Sequence, residues 1–201
     1  MNDITHTTKW GSFALVSYIP DPLGSFLHDL RRSFPGEHNP QPHITILPPR
    51  PLKLPVDAAL QRAHNVLLQF AAFEVELSKV RFFPETNVLY LDIAKGNRVL
   101  HDLHEALNAG DLDHSEEFEF RPHLTLSGRV ESAHLPWVRR EAETAWYSSD
   151  HPRRFTLDEV IFLWLSPESR QCEWHRVSSR RLGGSENASR RAAVAGARNR
   201  T

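Results

Sequence analysis

Two short stretches of this chain repeat one pattern of residue types 80 residues apart: Pro42-His43-Ile44-Thr45-Ile46 and Pro122-His123-Leu124-Thr125-Leu126. The triplet H-x-T alone says little. It occurs three times, against about 0.5 expected by chance, and the third copy, His6-Thr7-Thr8, lacks the surrounding pattern and is set aside. Requiring Pro before the triplet and Ile or Leu at both apolar places lowers the chance expectation to roughly 0.001, so two full copies are a repeat. In an extended strand side chains alternate, which puts His43 and Thr45 on one face and Ile44 and Ile46 on the other. The apolar pair anchors the strand, and the His/Thr pair faces open space. If the two copies face each other across a pseudo-two-fold axis, two imidazoles and two hydroxyls share that space.

Such a set suits phosphoester chemistry. A neutral imidazole takes a proton from an attacking water or hydroxyl, and a protonated one gives a proton to the leaving oxygen. The threonine hydroxyls can hold the non-bridging phosphoryl oxygens and fix the phosphorus between the histidines. This chemistry needs no metal or other cofactor. Which histidine acts as base is left open.

Weaker candidates surround the pair. Arg121 shares the face of His123 and can supply positive charge to a phosphate or nucleotide, or pair with Glu119; the first copy has Gln41 at that place. Arg50 and Arg129 either line the cleft or are solvated. Phe82, Phe83 and Tyr90 offer base-stacking surface or core packing. His101 and His104 form HxxH, with Glu105, Asp111, Asp113 and His114 close by. That spacing matches no recognised zinc motif, and a solvated acidic loop is expected there.

The paired H-x-T motif, one per half, resembles the 2H phosphoesterase superfamily. The stretch from Ala14 to Arg50, containing ALVSYIPDPLGSFLHDLRRSF and PHITILPPR, is similar to its bacterial 2′-5′ RNA ligase-like branch, and the likeness runs over residues 12–178. The resemblance implies a bilobal α+β fold with a cleft between the lobes. It also implies metal-independent opening of 2′,3′-cyclic phosphates or related cyclic phosphodiesters, or the cleavage or joining of 2′-5′ RNA linkages. By position, His43 and His123 would be the acid/base pair and Thr45 and Thr125 the phosphate ligands. It places the Phe82-Phe83-Pro84 turn near the cleft. The alternative from another functional class is a nucleotide or RNA binding module that uses the same cleft without catalysis.

The elements that must position these residues can be read in order. Phe13–Ile19 is a β-branched and aromatic run closed by Pro20-Asp21-Pro22, hence a strand. Leu23, Leu27, Leu30 and Phe34 fall at helical spacing, with Arg31 and Arg32 off that stripe. A short strand follows from His43 to Leu47, ended by Pro48-Pro49. Val56 to Phe70 is a second helix, and Phe73–Phe83 and Val88–Ile93 are strands. A helix follows Gly96-Asn97 through Leu107. Phe118–Val130 is a strand, and Ser132–Tyr147 a helix with Pro136 in its first turn. Arg154–Leu165 and Gln171–Val177 make a closing hairpin, with Trp164 and Trp174 in the core.

This order predicts an α+β fold of two pseudo-symmetric lobes over residues 1–182, with antiparallel or mixed sheets and outer helices. No G-x-G-x-x-G follows the first strand and no P-loop is present. Residues 183–201, rich in Arg, Ala, Gly and Ser, are expected to be a disordered tail.

Composition narrows the setting. Lys and Arg number 24 against 25 Asp and Glu, a formal charge of −1, so contact with nucleic acid must be local. The single cysteine, Cys172, rules out an internal disulfide framework and suits a reducing cytoplasm. No targeting signal or membrane-length apolar run is seen, and nothing calls for an obligate protein partner, so a cytoplasmic monomer acting on a nucleotide or RNA end is expected.

Overall fold

The computed structural model describes residues 9–34, 41–168 and 173–183. Cys172, His6 and the tail beyond Gly183 lie outside the described residues. Eight strands and four α-helices follow in the order β1 (Ser12–Tyr18), α1 (Leu23–Arg32), β2 (His43–Pro51), α2 (Val56–Leu67), β3 (Phe73–Phe82), β4 (Val88–Lys95), α3 (Asn97–Leu107), β5 (His123–Arg129), α4 (Leu135–Ser148), β6 (Arg154–Leu157), β7 (Glu159–Leu165) and β8 (Trp174–Arg181). All strands join one sheet in the order β6-β3-β4-β5-β2-β1-β7-β8, and every pairing is antiparallel. No helix among the described residues is long and apolar enough to cross a membrane.

The sheet divides at its middle, where β2 meets β5 through the single pair Ile44–Leu124. Going outward from that seam, β2, β1, β7 and β8 mirror β5, β4, β3 and β6. The mirror holds in detail. Ser17 pairs Ile44 as Leu91 pairs Leu124, and the ladder slips by one residue beyond Val16 in one half and beyond Tyr90 in the other. Residues 41–50 and 121–130 also share one burial sequence, position by position. The helices are exchanged across the seam: α1 of the first half packs on β5, and α3 of the second half packs on β2. One apolar cluster therefore serves both halves, including Ile44, Ile46, Leu124 and Leu126 with Leu27 of α1 and Leu103 of α3.

Several segments differ from the sequence reading for identifiable reasons. β2 does not stop at Pro48-Pro49 but runs to Pro51. Leu47 pairs Leu15 and Arg50 pairs Phe13, so the two prolines fall at a bulge, where a missing N–H removes no ladder bond. The strand around the second motif is only His123–Arg129, because residues before it leave the sheet to pack Phe120 against α3. The run Arg154–Leu165 is two strands, broken at Asp158, whose carbonyl accepts the Leu182 N–H. Those two strands pair at opposite ends of the sheet, β6 with β3 and β7 with β1. Helix α2 ends at Leu67, before Phe70. Trp164 is part-buried and donates from Nε1 to the Trp10 carbonyl at 2.9 Å, whereas Trp174 is half-buried on the edge strand.

Candidate active site

Both motifs begin a strand, and both strands border the seam. Ile44 and Ile46, like Leu124 and Leu126, are fully buried in the shared core, while His43, Thr45, His123 and Thr125 are half-exposed on the other face. Because β2 and β5 are antiparallel about the Ile44–Leu124 pair, continuing the register sets His43 beside Thr125 and Thr45 beside His123. The four groups thus form one patch across two adjacent strands.

The backbone holds both imidazoles alike. His43 Nδ1 lies 2.7 Å from the carbonyl of Gln41, and His123 Nδ1 lies 2.6 Å from the carbonyl of Arg121. A carbonyl only accepts, so each Nδ1 carries the hydrogen and each neutral ring keeps its lone pair on Nε2. The proline between carbonyl and histidine, Pro42 or Pro122, fixes the backbone of this two-residue loop.

Burial in the groove walls pushes both imidazole pKa values below the ordinary histidine range, against the carbonyl bonds, which favour the charged form. The charges beside them differ. His43 is further lowered by Arg31 and by His123, whereas His123 is lowered by Arg121 and raised by Asp92.

The second half supplies a fuller surround. Phe83 stacks on Tyr90 at 4.2 Å between centroids, and His123 meets both rings edge-on at 5.0 and 5.3 Å. The Arg121 guanidinium lies 5.9 Å from the Phe83 ring centre and 5.5 Å from that of Tyr90. Arg121, Phe83 and Tyr90 are therefore gathered on His123. Tyr90 is only 1% exposed and forms the floor under the histidine, while Phe83 is half-exposed at its rim. On the first half Tyr18 meets His43 edge-on at 6.4 Å.

Other sequence candidates lie elsewhere. Arg50 is neither solvated nor in the cleft: it is 1% exposed and bound to Glu116, Asn108 and the Leu112 carbonyl. His104 is buried with Nδ1 2.8 Å from the Ile46 carbonyl and its ring stacked on Phe120 at 3.7 Å, and His101 meets Phe120 edge-on. Asp113 and Asp111 pair with Lys53 and Arg62. Among the described residues no group of three His, Cys, Asp or Glu side chains is arranged to hold a metal ion. Arg129 is exposed at the end of β5, and Phe82 faces Arg139 of α4 at 5.8 Å.

Three groups at the site are not singled out by the sequence reading: Arg31, Asp92 and Tyr18. Tyr18 and Asp92 occupy equivalent strand positions, opposite His43 and His123. Arg31, 5% exposed on α1, sits one turn from Leu27 on the helix flank that reaches the motif.

The family model described as the 2′-5′ RNA ligase superfamily matches residues 19–167, a span that holds both motifs and most of the sheet. The chain belongs to that superfamily. Its curated relatives include phosphoesterases by name only: one of Geobacillus kaustophilus is 25% identical over 123 residues, covering 57% of this chain and 67% of that protein. Another, of Geobacillus thermodenitrificans, is 30% identical over 93 residues, covering 42% of this chain and 53% of its own length. The chain thus spans between about half and two thirds of these superfamily relatives. The fold matches that of apo LigT from E. coli, with TM-score 0.58 and 14% identity over 86% of this chain and 97% of that one. TT0787 of Thermus thermophilus gives TM-score 0.56 and 17% identity over 86% and 98%. LigT has also been solved with 3′-AMP, a form that this superfamily member matches with TM-score 0.57 at 13% identity, over 86% and 98% of the two chains.

Proposed function

We propose that the chain is a metal-independent phosphodiesterase. It opens a 2′,3′-cyclic phosphate or a related cyclic phosphodiester, or cleaves or joins a 2′-5′ RNA linkage, with His43 and His123 as acid/base pair. The observation that carries this reading is the matched hold on the two imidazoles: each Nδ1 is tied to a backbone carbonyl, so each ring does its proton chemistry at Nε2. In hydrolysis one neutral histidine takes a proton from water as the water oxygen bonds to phosphorus. The other, protonated, gives its proton to the ribose oxygen as the P–O bond breaks. The proton is left on the first histidine and lost from the second, and exchange with solvent restores the starting state. Ligation runs the same steps backwards with a hydroxyl in place of water. Thr45 and Thr125 donate to the non-bridging oxygens, whose charge is held in place as the phosphorus becomes five-coordinate. Arg121 and Phe83 hold the nucleotide beside His123, over the Tyr90 floor.

The test is turnover of 2′,3′-cyclic nucleotides and 2′-5′ linked dinucleotides by the wild type, H43A and H123A, with and without EDTA. Each substitution should lower kcat/KM by about 10²–10⁴-fold, and EDTA should change nothing. Binding of nucleotide that persists in the double variant, with no turnover by the wild type on any of these substrates, would instead identify a binding module.

A further inference from the structure

The two halves agree at the reacting groups and disagree at every position that flanks them on the same sheet face. Opposite Thr45 stands Val16, and opposite Thr125 stands Tyr90. One strand further out, Ile161 faces Val16 where Arg81 faces Tyr90. Two residues before the histidines stand Gln41 and Arg121. The His43 side of the groove therefore has Tyr18 and aliphatic neighbours, with its one cation, Arg31, buried, and the His123 side has stacked aromatic rings, two exposed guanidiniums and Asp92. Arg31 acts on His43 through its charge, but at 5% exposure it offers a substrate no open contact.

The cationic side is organised. Arg81 donates from Nε to Asp92 Oδ2 at 2.8 Å, which fixes the plane of its guanidinium. Arg121 is exposed, lies over the Phe83–Tyr90 pair, and has no carboxylate at ion-pair distance among the described residues. Two guanidiniums against one carboxylate leave this side positive. Strand geometry puts Arg121 about 7 Å along the chain from His123, and Arg81 two strands, about 10 Å, from Thr125. A guanidinium lying over aromatic rings presents its planar fork of donors to a phosphate with little freedom to lose.

We propose that the His123 side is a subsite for a second phosphate of the substrate. The chain then acts on phosphodiesters that carry a further phosphate about one nucleotide away, as at an oligonucleotide end or on a 5′-phosphorylated nucleotide, in preference to a lone nucleoside cyclic phosphate. This rests on reading the His/Thr quartet as a phosphodiester site. It orients the substrate: its charged arm lies over Arg121 and Arg81.

The experiment is calorimetric titration of adenosine 3′-monophosphate and adenosine 3′,5′-bisphosphate into the wild type, R121Q and R81Q, at low and high salt. R121Q places at position 121 the residue found at position 41. The wild type should bind the bisphosphate about 10-fold tighter or more, a preference that shrinks in salt. R121Q should cut that ratio to about 3 or less, and R81Q should lower it in the same direction. Equal binding of the two ligands by the wild type would overturn the subsite. So would an R121Q variant, folded by its melting curve, that weakens both ligands by one factor, since Arg121 would then hold the reacting phosphate. Turnover of adenosine 2′,3′-cyclic phosphate, followed in parallel, separates the two readings. Turnover without bisphosphate preference defeats the subsite alone, and preference without turnover on any substrate defeats the catalytic reading and leaves the subsite standing.

Discussion

At the residue scale, the two histidines are alike in their hydrogen bonds and unlike in their neighbours. Burial moves both pKa values down, so the form with one proton on the pair is most populated on the acid side of pH 6.5. The pH profile of kcat/KM should be bell-shaped with its maximum below 6.5; a maximum above 7 would contradict the placement of these groups. The same shifts bear on stability. A histidine whose pKa is depressed in the folded chain takes up a proton more readily when unfolded, so stability is lost as pH falls through 6.5 toward the folded value. H43Q/H123Q should therefore lose less melting temperature than the wild type between pH 7.5 and 5. A residual slope should remain from His64, also lowered by burial between α2 and β8. The shared face of each His/Thr pair was legible in the sequence, because both residues lie within one strand and alternation alone sets their face. Arg31, Asp92 and Tyr18 were not, since they meet the histidines only through pairing between strands far apart in the chain.

At the element scale, the least predictable feature is the loop between α3 and β5. Read as solvated and acidic, it is exposed at Asp111, Asp113 and Glu117, but it is also pinned at Glu116 and Leu112 by a buried guanidinium. Arg50 reaches Glu116, Asn108 and the Leu112 carbonyl, and His104 joins the same patch through Ile46 and Phe120. No motif announces this, because the partners are 58 to 66 residues apart and the proline-rich end of β2 reads as a loop. E116Q should leave the Arg50 charge without its carboxylate and destabilise the chain by about 3–5 kcal/mol, measured by urea unfolding. A change below about 1 kcal/mol would show that Asn108 and the carbonyls suffice. The strands and helices were otherwise legible from periodicity. The errors include the overrun of α2 to Phe70. The larger ones fall where a bulge absorbs Pro48-Pro49, where Phe120 leaves the sheet for α3 and where Asp158 splits one apolar run between the two ends of the sheet, these three set by tertiary partners and not by local sequence.

At the scale of the whole molecule, the halves repeat each other yet share one core, because each lends its helix to the other's motif strand. Unfolding in urea should therefore be a single transition in which far-UV circular dichroism and tryptophan fluorescence coincide, with Trp146 reporting from the second half and Trp164 from the first. Two separable steps would show that the lobes hold themselves up independently. The repeat was readable as two matched pentapeptides, but the exchange of helices was not, since it depends on which strand each helix covers. That exchange makes the seam a pseudo-two-fold inside one chain. A true two-fold between identical chains would give both histidines the same neighbours. One chain escapes that constraint, and here Arg121 and Asp92 stand beside His123 where Gln41 and Tyr18 stand beside His43.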